Sequence, residues 1–280
     1  MRIIADTATL FSPAEGAEQG MTIIPVCVSI NNQTYKDYAE ISSEEFLDLV
    51  AQGGTPSSSQ PAIGDILDVF ESSEDEMLVL TVGDGLSGGY QSTLSARSCA
   101  SHPERIHVLN SRTLAGPLRY LAKKAVSLKE NGLSMERIKA ELTASIESSI
   151  SFVIPEDFDF LKRSGRLTAI TAKVGGVLKL LPVLTQTEDK TRIKPVTIKR
   201  TWKSAVDVII HRLNALGVDH EYLISVCHAG TYQKAVSVVE QIKQTFTRSE
   251  IEILHLSPAL ITHGGPGCIV VQAIKKQGGE

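Results

Sequence analysis

Along this chain the apolar positions switch repeatedly between runs of strand length and a helical spacing of three to four. The opening Met1-Arg2-Ile3-Ile4-Ala5 predicts a short strand running into Asp6-Thr7, followed by a loop and a second strand over 22–30. A helix is expected from Ser42, because Ser42 and Glu45 form an S-x-x-E capping box ahead of Phe46, Leu47 and Val50. Small polar residues over 53–59 read as a loop. Pro61 falls where the first turn of the next helix should be, with Ser59 or Gln60 near the cap. Residues 77–82 are continuously apolar and bounded by Gly83-Asp84-Gly85, which predicts a buried strand. A helix over about 90–100, a strand over 106–109 and a helix over about 117–130 follow; Asn131-Gly132 stops the last, and Ser134 starts another. Strands apolar on both faces, alternating with helices, imply a parallel sheet covered on both sides.

Near residue 150 the texture changes. Strands are expected at 151–154, 182–187 and 191–198, the last with alternating polar positions, then helices at about 202–216 and 231–247 around an apolar strand at 222–227. A strand at 251–256, a glycine-rich turn and a final strand at 268–274 close the chain. A mixed sheet fits this half better than a purely parallel one. At 280 residues the chain is comfortable for two domains. The fold class expected is α/β: an N-terminal parallel-sheet domain over 1–150 and a C-terminal domain with a mixed sheet over 151–280, with ligand between them.

Composition narrows the function classes. A net charge of −4 and an aromatic content of 5% give neither the electrostatic footprint nor the stacking platform of a nucleic acid binder. The 42% apolar content is therefore mostly aliphatic interior. Cys27, Cys99, Cys227 and Cys268 lie far apart with no C-x-x-C pair, so free thiols in a reducing compartment are expected. Asp6 interrupts the opening too early for a signal peptide, and the longest apolar stretch, 174–184, is broken by Lys179 and about half the length of a membrane span. A cytoplasmic protein without a membrane span is expected.

Most catalytic signatures fail on their own terms. Gly83-x-Gly85-x-x-Gly88 matches the dinucleotide fingerprint between a strand and a helix, but Asn110 stands where a ribose-binding acid belongs. A nucleotide- or phosphate-dependent enzyme built on this loop is the alternative reading. Asp6 lacks the second aspartate two residues on that an aspartyl-nucleophile phosphatase requires, since Ala8 stands there. The seven histidines include no H-x-x-x-H pair, so no metal site is expected, and Ser87 does not sit in a G-x-S-x-G elbow. What remains are hydroxyl and glycine clusters at strand ends, where helix-start N–H groups and hydroxyls suit an anion.

Six segments, in this order and spacing, resemble the DegV family: the first strand ending in Asp6-Thr7, Ser58-Ser59-Gln60-Pro61, the stretch from Leu86 to Ser92, Phe160 through Arg166 with its Gly165-Arg166 pair, Leu180-Leu181-Pro182-Val183-Leu184, and His263-Gly264-Gly265-Pro266-Gly267. The resemblance runs from residue 2 to about 274. It implies a two-domain α/β carrier, not itself an enzyme and without a cofactor, that encloses a long-chain fatty acid. It further implies presentation of the carboxylate to a separate ATP-dependent fatty acid kinase, the acyl phosphate then entering phospholipid synthesis. By resemblance, Ser58 (where the family usually has Thr), Ser87 and His263 hold the carboxylate, and Arg166 and Arg200 serve phosphoryl transfer or partner docking. Arg163 reads as a solvated cation. Gly175-Gly176 would leave room for the tail or simply allow helix packing. Ala8, Gly89 and Asn110 depart from the family pattern, where a hydroxyl, a hydroxyl and an aspartate are usual.

Overall fold

The computed structural model describes residues 1–168 and 180–276. The first half comprises β1 (Arg2–Asp6), α1 (Pro13–Glu18), β2 (Met21–Ile24), β3 (Cys27–Ile30), β4 (Gln33–Lys36), α2 (Ser43–Ala51), β5 (Ser57–Ser59), α3 (Ile63–Glu71), β6 (Met77–Thr81), α4 (Gly89–Cys99), β7 (Ile106–Asn110), α5 (Ala115–Glu130) and α6 (Met135–Glu147). Strands β2, β1, β6 and β7 form, in that order, an all-parallel sheet. All five residues of β6 are buried because both faces are covered. Ile3 and Leu78 pack with Leu118 and Leu121 of α5. Their neighbours Ile4 and Val79 point the other way, onto Ile66 and Phe70 of α3.

The strand expected over 22–30 is two strands in two sheets. Pro25 has no N–H for a ladder, and the next amide, Val26, donates to Thr7 Oγ1 at 3.1 Å instead of to a strand. The chain therefore leaves the parallel sheet, and β3 joins a small antiparallel sheet of order β4–β3–β5. Asn31 and Asn32, with φ of 53° and 61°, make the tight turn into β4. β5 falls within the stretch read as a loop, because three serines carry no apolar alternation. Pro61 also lies outside the turn assigned to it: α3 starts at Ile63 with Ala62 at its cap.

The second half comprises β8 (Ile150–Ile154), α7 (Phe158–Ser164), β9 (Leu181–Gln186), β10 (Ile193–Lys199), α8 (Trp202–Ala215), β11 (Tyr222–His228), α9 (Tyr232–Lys243), β12 (Glu250–His255), α10 (Pro258–Gly264) and β13 (Ile269–Lys275). Its six-stranded sheet, ordered β10–β9–β8–β13–β11–β12, is mixed: β11 and β12 run parallel and the other neighbouring pairs antiparallel. One face packs on α8 and α9 through Val206, Ile209, Val238 and Ile242. The other face meets α5, whose Leu118 and Leu121 share an apolar cluster with Leu223 and Ile274. Helix α5 is thus buried between the two large sheets, which explains its six buried apolar positions from Ala115 to Val126 beside Gly116 and Pro117. Where a glycine-rich turn was expected, residues 258–264 form a helix, capped by Ser257 and opened by Pro258.

Among the described residues no helix is long and apolar enough to cross a membrane. All four cysteines are free; Cys227 and Cys268 are buried and Cys99 is exposed.

Candidate functional site

A cleft opens between the two halves, with about 1150 Å³ of empty space, its mouth included. Its walls are mainly aliphatic and come from both halves, Val26, Leu86 and Leu114 on one side and Val153, Leu161 and Val270 on the other.

One group of polar side chains, Ser58, Ser87, Arg166 and His263, gathers at one end. Ser58 is held in β5 by pairing with Val28 of β3. His263 lies in the last turn of α10, 205 residues later, and its Nε2 is 2.8 Å from Ser58 Oγ. Burial lowers the His263 pKa from 6.5 to about 4, and the nearby Arg166 cation pushes in the same direction. At neutral pH the imidazole is uncharged, so one ring nitrogen donates and the other accepts. Gly265, at φ +76°, ends α10; a Cβ there would lie 2.8 Å from the Phe160 ring, so only glycine closes the turn that fixes His263.

Ser87 follows β6 in the loop leading to α4. Its Oγ accepts from the Gly89 amide at 3.1 Å, which leaves the hydroxyl proton available to a ligand. The glycines of this loop are engaged by protein. Gly83 N donates to Thr113 O at 2.9 Å, and a Cβ there would sit 2.9 Å from Arg112 C; Gly85 has φ +83° and packs on Thr191. Asn110 Oδ1 accepts from the amides of Asp84 (3.2 Å) and Arg112 (3.0 Å), tying the loop to β7. Asn110 therefore braces the loop, a role an aspartate acceptor would fill equally.

Arg166 follows Gly165, the left-handed residue that ends α7. Its Nε donates to Leu86 O at 3.1 Å, so it bridges the two halves at the head of the cleft. It is half-buried, burial lowers its pKa, and among the described residues it has no acidic partner. Asp6, at the end of β1, is buried and accepts from the Ala8 amide at 2.8 Å, and burial raises its pKa to about 6. A Cβ on Gly89 would come within 3.5 Å of Ser87 Oγ and 3.8 Å of Asp6 Oδ2, so the missing side chain leaves this corner open.

Ser58, Ser87, His263 and Arg166 all line the cleft. Arg200 does not; it is exposed just beyond β10. Arg163 is exposed and its guanidinium lies 4.6 Å from the Phe160 ring. Gly175-Gly176 lies outside the described residues. Sequence reasoning missed the cleft floor, formed by alternate residues Cys268, Val270 and Gln272 and by Ser151 and Val153; residues 268–271 are apolar at every position, so no alternation marks the face that meets the cleft.

The DegV family model matches residues 1–276, nearly the whole chain. The chain belongs to the DegV family. A DegV domain-containing protein of Clostridium acetobutylicum is 30% identical over 257 residues, covering 89% of this chain and 88% of that one. Among solved structures, a DegV family protein from Thermus thermophilus, described by its fatty acid binding, superposes with a TM-score of 0.88 at 25% identity, covering 98% of this chain and 100% of that one. DegV from Bacillus subtilis, a fatty acid binding protein, shares the fold at a TM-score of 0.84 and 24% identity, over 98% of this chain and 99% of that one.

Proposed function

We propose that this DegV family member is a fatty acid carrier that binds a long-chain acid in the cleft between its halves. The observation that carries the reading is the asymmetry of the cleft: aliphatic walls, and at one end a neutral imidazole hydrogen-bonded to a serine beside an arginine that has no acidic partner among the described residues. A tail of a dozen methylenes gains on the order of 10 kcal/mol on burial, at about 0.8 kcal/mol each and as an upper bound. A buried carboxylate costs several kcal/mol unless it is hydrogen-bonded and charge-compensated. Ser58, Ser87 and His263 are suited to supply the bonds, and Arg166 the charge. The tail would dominate affinity and the head would fix orientation. The fatty acid binding of the Thermus relative supports the same ligand class.

The proposal extends to a division into two domains near residue 150 and to a carrier role rather than catalysis. A separate ATP-dependent kinase would phosphorylate the bound carboxylate in the cytoplasm, Arg166 meeting the new phosphate and the exposed Arg200 the partner's surface. Mass spectrometry of an organic extract of the purified protein, with an unrelated protein from the same cells as control, is the first test. One fatty acid near equimolar stoichiometry is expected. A delipidated protein that binds no acyl chain of any length would overturn the reading.

A further inference from the structure

The corner beside Ser87 has a polar wall that no other side chain of the described residues engages. Asp6, at the end of β1, is only 8% exposed. Its Oδ1 accepts from the Ala8 amide at 2.8 Å, and the Val82 backbone also bonds to the carboxyl. The hydroxyls on either side are directed elsewhere: Thr7 Oγ1 donates to Asp37 Oδ2 at 2.7 Å, and Thr9 Oγ1 to the main-chain carbonyl of Asp6 at 2.8 Å. Ala8 and Gly89, which also border this corner, have no hydroxyl to offer. Burial raises the Asp6 pKa only to about 6, so at neutral pH the carboxyl is mostly ionised and accepts without donating. A buried acceptor of this kind is costly while part of its capacity is unused.

The corner also has room for a small group. A Cβ on Gly89 would lie 3.5 Å from Ser87 Oγ and 3.8 Å from Asp6 Oδ2, both ordinary contacts. Leaving aside its own helix backbone and chain neighbours, no third atom of the described residues comes within 4 Å of that point. Ala8, Ser87 and Gly88 all line the cleft, so the space adjoins it. Ser87 is also one of the groups suited to the ligand carboxylate. The hydroxyl oxygen of a 2-hydroxy acid stands only two bonds of about 1.5 Å from its carboxyl carbon, and so shares the surroundings of Ser87.

We propose that the corner between Asp6 and Ser87, left open by Gly89, is a subsite for a hydroxyl on the second carbon of the acyl chain, so that 2-hydroxy long-chain fatty acids of one configuration are ligands of this protein. The ligand hydroxyl donates to Asp6 Oδ2 and packs against Ser87 Oγ. Because the corner lies to one side of the carboxylate, only one configuration at that carbon directs the hydroxyl into it. The other turns the hydroxyl away from Asp6, where nothing repays its lost hydration. The inference rests on the reading of the cleft as a fatty acid site.

Calorimetric titration of delipidated protein with stearate, (R)-2-hydroxystearate and (S)-2-hydroxystearate tests it, in the wild type and in Gly89→Ala and Asp6→Asn. The readout is the ratio of the two enantiomers' Kd values within each protein, which cancels effects on folding, tail packing and carboxylate contacts that both enantiomers share. In the wild type one enantiomer is expected to bind about tenfold tighter than the other, for one hydrogen bond to a charged group. In Gly89→Ala the ratio should fall to about one, because the methyl group occupies the corner. Asp6→Asn keeps the shape of the corner and the Ala8 bond but turns an N–H donor towards the ligand, and should lower the ratio about threefold or more. Equal Kd values for the enantiomers in the wild type, or a preference that survives either substitution, would overturn the inference; stearate still bound would leave the carrier reading intact. Absence of binding by any of the acids would remove the carrier reading itself, and the inference with it.

Discussion

Replacing His263 with glutamine exposes a pH dependence that the wild type hides. The glutamine amide can still bond to Ser58 but cannot titrate. In the folded protein the His263 pKa is lowered from 6.5 to about 4 by burial and by Arg166. Between those values the unfolded chain binds a proton that the folded chain refuses, so stability is lost as pH falls from 6.5 towards 4. At 1.36 kcal/mol per pH unit the loss is about 3 kcal/mol. Asp6 acts with the opposite sign. Its carboxyl, raised from 3.8 to about 6, holds a proton that the unfolded chain has released, so a similar penalty stands above pH 6 and is relieved towards 3.8. Asp37, raised by burial to about 7, and His228, lowered by burial to about 4, titrate across the same window, so only the comparison with the variant isolates His263. Urea unfolding at about pH 7.5 and about pH 4 should therefore show His263→Gln gaining about 3 kcal/mol relative to wild type on acidification. Saturating fatty acid should shrink that gap, because a carboxylate beside the imidazole favours its charged form. Parallel pH dependences for the two proteins would refute the claim that His263 is held neutral by burial.

Other perturbations read different parts of the arrangement. Ser58→Ala removes the partner of His263 Nε2, and fatty acid Kd should rise about five- to tenfold by calorimetry, for a bond worth about 1–1.5 kcal/mol. Arg166→Ala should cost more, at least tenfold, since hydrogen bonds to charged groups contribute about 1.5–3 kcal/mol. Arg200→Ala should leave fatty acid Kd unchanged while lowering the rate at which a partner kinase phosphorylates the bound acid; an altered Kd would place Arg200 in the site. Gly116→Ala places a Cβ 2.2 Å from Ser225 Oγ on the six-stranded sheet, and should destabilise by about 1–3 kcal/mol in urea unfolding.

The fold was legible wherever burial writes itself into the apolar pattern. β6 is buried along its whole length and its run of apolar residues announces that. The alternation of strands and helices in the first half gave the parallel sheet, and the change of texture after it gave the mixed one. What escaped was short or polar structure. β5 is three serines, held by its pairing with β3 and not by any side-chain preference. β2 and β3 read as one strand because both are apolar, and only the missing amide of Pro25 separates them. Helix α10 is seven residues long, too short for its periodicity to stand out against the glycines that follow it.

The head of the cleft poses a different problem, because its chemistry is a property of assembly. Ser58, Ser87, Arg166 and His263 could be singled out as residue types, and Arg166 as part of a Gly-Arg pair. Nothing local to any of them says that His263 is neutral. That follows from its burial under α7 and from a cation that reaches it only because α7 ends at Gly165. The same assembly separates two cations that the sequence treats alike. Arg166 is drawn into the cleft by the Leu86 carbonyl of the other half, whereas Arg200 is left on the surface beyond an edge strand. A half-buried guanidinium with no acidic partner among the described residues has a charge to be answered, and an anion arriving through the cleft answers it. An exposed one already has solvent for that purpose. The two arginines therefore differ in what they can do for a bound carboxylate: Arg166 can hold its charge, and Arg200 can only meet whatever approaches from outside.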